Sequence, residues 1–141
     1  MYGNQRLPGI EASDTYRYEG SIWRGYPETT WFKTVKATGT LAQGTIVKEN
    51  DGIYSPITTE DIISSTANLP GARLGIVADN TNPDGTVEAP ATVLIGIQGQ
   101  VDKDKLLVGE TAFSELTNTQ KINLNTQLEA WNFQLVKVEQ R

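Results

Sequence analysis

The passage Ala91-Thr92-Val93-Leu94-Ile95-Gly96-Ile97 is the longest nearly unbroken apolar run in the chain, and its reading decides the fold class. A membrane helix needs ~20 such residues, so this run is far too short to cross a bilayer. Its length and its β-branched side chains suit a strand, and the near absence of polar alternation predicts a strand covered on both faces. Gly99 is expected to end it.

Working outward from this run toward the N-terminus, Ala72-Arg73-Leu74-Gly75-Ile76-Val77-Ala78 reads as a second strand. Residues 44–48 and 53–55 read as two more, joined through Glu49-Asn50-Asp51-Gly52. That connection holds the Asn, Asp and Gly that positive-φ hairpin turns require. Pro56 restricts the second of these strands to a sheet edge or an early end. Thr34-Val35-Lys36-Ala37, followed by a bend at Gly39-Thr40-Leu41, opens the domain.

Toward the C-terminus, Asp102-Lys103-Asp104-Lys105 alternates in charge and suits a solvated turn. Thr117 and Gln120 have the spacing of a capping box, in which hydroxyl and amide satisfy the first free N–H groups of a helix. Leu124, Leu128 and Trp131 then recur at i, i+4 and i+7 on one face, with Ile122 off it and Asn125 and Glu129 toward the other side. Asn132 suits the left-handed position that stops a helix, and residues 133–138 return as a closing strand. The expected architecture is mainly β (α+β). It is a small mixed, barrel-like sheet with one C-terminal helix, spanning residues 34–141 behind an extended N-terminal arm, residues 1–33.

Composition narrows the function. The chain has 141 residues, a formal net charge of −5, and neither cysteine nor histidine. The length suits one domain with a core of its own. Disulfides, thiolate metal sites and the usual neutral-pH proton shuttle are all unavailable. The acidic balance disfavours nucleic acid, because nonspecific binding rests on Lys and Arg neutralising phosphates. No cationic stretch followed by an apolar run opens the sequence, so neither a secretory leader nor a membrane partner is expected.

The arm is the unusual part. Gly3, Pro8, Gly9, Gly20, Gly25 and Pro27 break any periodic element, yet seven of the eleven aromatic residues lie in it. A solvated linker is normally poor in aromatics. Four buried rings would hide ~600–1,000 Å², comparable with the ~800 Å² that each partner contributes to a standard interface. Four basic and four acidic side chains balance there, so apolar and backbone contacts should carry the attraction. Tyr16, Tyr18, Trp23 and Tyr26 are therefore candidate partner-binding residues. Trp31 and Phe32 adjoin the first strand, and either join that surface or enter the core.

Nothing in the sequence points to catalysis. Asn80-Thr81-Asn82-Pro83-Asp84-Gly85 resembles the first half of a calcium loop. Ala91, however, stands where the closing bidentate Glu belongs, and a Pro-Asp-Gly turn accounts for the same residues. Glu60 and Asp61 are adjacent and would not converge on one substrate atom unaided. Phosphate loops, nucleophile elbows and metalloprotease spacings are absent from the sequence. The expectation is a binding protein, not an enzyme, with no cofactor, no metal and no catalytic residue.

Several short motifs, in order, resemble the phage lambda-type head decoration proteins. They begin with the passage from Trp23 to Pro27 and with Gly39-Thr40-Leu41-Ala42-Gln43-Gly44-Thr45-Ile46-Val47. Leu74-Gly75-Ile76-Val77-Ala78-Asp79 and Ile97-Gln98-Gly99-Gln100-Val101 with Leu106 follow. Last comes Leu128-Glu129-Ala130-Trp131-Asn132-Phe133-Gln134-Leu135, where Asn132 stands in for the family's Gly. The arm is richer in aromatics than the family pattern, and the chain runs past the usual end to Arg141.

The resemblance implies a homotrimer on the outer surface of a phage capsid, at threefold and quasi-threefold sites of the expanded shell. It would cement neighbouring major capsid protein subunits, and its N-terminal arms would pair with capsid elements. Tyr16, Tyr18, Trp23, Tyr26, Trp31 and Phe32 would then be the capsid-binding residues. The alternative is another virion surface component, such as a head-fibre base or a carbohydrate-binding β module, because exposed Trp and Tyr also stack on sugars.

Overall fold

The computed structural model describes residues 22–24, 30–62 and 72–137. The first strands are β1 (Trp31–Ala37), β2 (Gly39–Thr40), β3 (Ile46–Asn50) and β4 (Ile53–Pro56). β5 (Leu74–Val77), β6 (Asp84–Gly85), β7 (Ala91–Asp102), β8 (Leu107–Val108) and β9 (Thr111–Ala112) follow. Helix α1 (Asn118–Ala130) and β10 (Phe133–Val136) close the chain. The protein is mainly β, with a mixed six-stranded sheet ordered β1-β4-β3-β5-β7-β10.

That order bends round on itself. β1 also pairs with β7, antiparallel, along its whole length from Trp31 opposite Gln98 to Ala37 opposite Ala91. The pairings therefore run β1-β4-β3-β5-β7 and back to β1, a barrel-like circuit. Its inside is filled by Val35, Ala37, Leu41, Val47, Tyr54, Val77, Val93 and Ile95. The β3–β4 hairpin turns on Asp51 and Gly52 at φ 56° and 84°. Both central residues thus sit in the left-handed region that a two-residue turn of this hand demands.

A second apolar layer lies outside the circuit. On one side of β3 and β5, Ile46, Leu74 and Ile76 face outward and pack with Leu106, Phe113, Leu124, Leu128 and Phe133. All four residues of β5 are buried as a result. Helix α1 supplies the lid, and Thr117 and Gln120 complete the capping box expected of them. Asn123, buried in the same helix, donates from Nδ2 to the Ile62 carbonyl at 2.8 Å. Leu124 and Leu128 are fully buried, Trp131 is half-buried, and Ile122 points to solvent at 66 % exposure. Asn132 stops the helix at φ 68°.

The centre of the molecule departs from expectation in several places. β7 does not end at Gly99. It runs on to Asp102 and changes neighbours, with β1 and β5 along its first part and β10, parallel, along residues 99–102. Nor is its first part covered on both faces: Val93 and Ile95 point inward, whereas Thr92 and Leu94 point outward, Leu94 being 37 % exposed. Among the described residues Trp23 covers that side at Gly96 and leaves Thr92 and Leu94 exposed, so the run alternates in exposure despite its apolar composition. β4 lies between β1 and β3, so Pro56 marks an early end and not an edge.

Asp102 is fully buried instead of solvated. Its Oδ1 accepts from the Asp104 N–H at 3.2 Å, capping a 3₁₀ turn, and its Oδ2 lies 3.9 Å from the Arg24 guanidinium. Within the calcium-like run, Asp84 and Gly85 form the short ladder of β6 with β2. The closing strand ends at Val136, and Val138 lies outside the described residues.

The candidate interaction surface

The six aromatic candidates divide. Tyr16, Tyr18 and Tyr26 lie outside the described residues. Trp23 is not on a surface: it is 9 % exposed and belongs to the outer core layer. The reason is backbone pairing. The Asp102 N–H donates to the Ile22 carbonyl and the Arg24 N–H to the Gln100 carbonyl, both at 2.8 Å, so residues 22–24 lie antiparallel against the end of β7. The indole then covers Gly96, where an added Cβ would stand 2.1 Å from a ring carbon. Only glycine leaves room for this ring. The boundary of the folded domain thus falls earlier than residue 34, since β1 begins at Trp31 and Ile22 and Trp23 are core residues.

Trp31 and Phe32 remain outside, at 55 % and 44 % exposure. Phe32 meets Trp23 edge to face, ring centroids 5.3 Å apart and planes at 85°. This T-shaped arrangement suits the ring quadrupoles and fixes the exposed ring on a buried one. On the same outward row, Thr34 and Lys36 follow Phe32, and across the ladder stand Leu94 and Thr92. The Lys36 ammonium donates to the Thr92 hydroxyl at 2.8 Å. The surface is a two-strand ribbon with an aromatic end.

Beside it a slot of about 680 Å³ opens between β1 and the β3–β4 hairpin. It exists because β4 joins β1 only at Lys36 and Ala37, leaving residues 33–35 with a strand on one side alone among the described residues. Trp31, Lys33, Glu49, Tyr54 and Arg73 line it. Arg73 donates to the Ile97 carbonyl and lies over the Trp131 ring, 4.6 Å from its centroid. Burial, reinforced by the Glu49 carboxylate and opposed by Arg73, holds the Tyr54 phenol above the ordinary tyrosine value of 10.0.

Chemically this surface offers aromatic faces, an open strand edge and a few cations. Among the described residues no three acidic side chains gather where they could hold an ion. No helix there is long and apolar enough to cross a membrane. No family model and no curated protein sequence matches this chain.

Sequence reasoning found Trp31 and Phe32 as surface candidates but missed Leu94, Tyr54 and Arg73. Leu94 sits between Val93 and Ile95 in an apolar run, and only the period of two, with Thr92 on the same face, hints that it points outward. Tyr54 and Arg73 carry no local signal, because the slot is made by strands distant in sequence.

Proposed function

We propose that this chain is a viral structural protein, a head decoration protein that binds the outer surface of a phage capsid as a homotrimer and stabilises the expanded shell. The observation that carries the reading is the pair of large exposed aromatics, Trp31 and Phe32, at the head of β1. They stand at the start of β1, Phe32 on the ribbon row with Thr34 and Lys36 and Trp31 at the neighbouring slot. Rigid aromatic anchors are the side chains that dominate binding at interfaces. The open edge at residues 33–35 suits strand addition by a partner's backbone. A threefold assembly would present three such surfaces together and multiply weak contacts through effective concentration. The ordered motifs that resemble the decoration family supply the identity of the partner, the major capsid protein.

The test is cosedimentation with expanded shells of the cognate phage stripped of decoration. The whole chain binds at saturating stoichiometry, and a Trp31→Ser/Leu94→Glu variant with unchanged circular dichroism does not. Equal binding of that variant overturns the assigned surface, and failure of the whole chain to bind any shell overturns the function. Trp31 beside a slot lined by Lys33, Glu49 and Arg73 favours a second reading, a carbohydrate-binding virion module. Retention on a glycan array, abolished by Trp31→Ser, would establish it.

A further inference from the structure

A second groove lies on another part of the molecule. β10 is the last strand of the sheet and pairs only with β7 among the described residues, which leaves its outer backbone edge open. Between that strand and the first turns of α1 is a groove of about 480 Å³. Its apolar lining is Phe113, Ile122 and Leu135, and around these stand Lys103, Lys121 and Lys137 against the single acid Asp104. None of the three lysines forms an ion pair among the described residues. Lys121 lies above the Phe113 ring, 5.7 Å from its centroid, so its stem extends the apolar lining while its charge stays at the rim.

This is a local excess of positive charge on a chain whose net charge is −5. A second copy of β10 is a poor occupant, because pairing two such edges would set lysine against lysine. A nucleic acid would meet the repulsion of the whole acidic chain. An extended polypeptide with acidic side chains answers every feature. Its backbone completes the open edge, its carboxylates meet the lysines, and its alternate apolar side chains enter the groove beside Ile122 and Leu135.

We propose that the open edge of β10, with its lysine-rimmed groove, is a docking site for an extended acidic segment of a partner polypeptide, added as a further strand of the sheet. The site is separate from the aromatic ribbon and stands whether or not the chain decorates shells.

The experiment uses the full chain and a capped, fluorescein-labelled peptide alternating glutamate with valine, beside one alternating lysine with valine. The glutamate peptide raises anisotropy, more strongly at low salt. In a Lys103→Glu/Lys121→Glu/Lys137→Glu variant its affinity falls about tenfold, the scale of three partly exposed ion pairs, and the lysine peptide binds in its place. On binding, the amides of Gln134, Leu135 and Val136 gain protection from hydrogen exchange. Equal binding of both peptides overturns the proposal, as does indifference to the charge reversal. So does protection that maps to β1, competition by a single-stranded oligonucleotide, or no binding at about 1 mM peptide.

Discussion

The barrel-like circuit has one dressed side and one bare side, and the same sheet chemistry serves both. Around β3 and β5 the outward residues Ile46, Leu74 and Ile76 are roofed by α1 and the segments before it, so β5 and the start of β3 are buried on both faces. Around β1 and the first part of β7 the outward residues Phe32, Thr34, Leu94 and Thr92 are exposed among the described residues. Among the described residues the α-helix covers one side. On the other side Phe32 packs edge to face on Trp23, and Leu94 is 37 % exposed. The difference gives one side the packing that stabilises the fold and leaves the other as the face that the proposed binding would use.

Substitutions can break that assignment. The largest effect is expected at Trp23, whose ring joins the end of β7 to the outer core. Trp23→Ala should cost about 3–5 kcal/mol by chemical denaturation. A loss below about 0.5 kcal/mol, the scale of an exposed site, would return this residue to the arm. Neighbours on β7 sharpen the contrast next. Ile95→Ala, inside the circuit, should cost ~2–5 kcal/mol, as should Leu128→Ala under the helix. Leu94→Ala should stay within about 0.5 kcal/mol while weakening the proposed shell binding. Comparable losses at Leu94 and Ile95 would mean that the bare face is covered in the free protein.

On the dressed side, Thr117→Ala removes the helix cap and should cost about 1 kcal/mol, read in the same titration. The smallest effect is a pH dependence at Tyr54. Its phenol keeps its proton in the fold above the ordinary value of 10.0, whereas the unfolded chain loses it there. Fewer protons are then bound in the unfolded state, so stability falls as pH rises above that value, toward the folded pKa. Tyr54→Phe should flatten this alkaline decline above pH 10.0, measured by denaturation on both sides of that value. An unchanged slope would place the decline elsewhere.

The legible parts of this molecule are those made by neighbours in sequence. Asp51 and Gly52 fix a turn between adjacent strands, Thr117 and Gln120, three residues apart, cap the helix, and Asn132 ends it. The surface was half legible. Trp31 and Phe32 could be suspected because their type is rare in water, but Trp23, of the same type and eight residues away, lies in the core. Its fate depends on Gly96 and Val101, far along the chain, which a local pattern does not contain. Asp102 misled for the same reason: its alternating charges look solvated until Arg24 is brought against it.

By itself the sequence determined a mainly β body with one capped helix, because turn geometry, capping and strand propensity are interactions within a few residues. Tertiary structure alone decided which aromatic rings are core and which are surface, that β7 changes partners midway, and that two grooves open beside β1 and β10. Burial is set by what packs on a residue from elsewhere in the chain, and such contacts are not written in its neighbours in sequence.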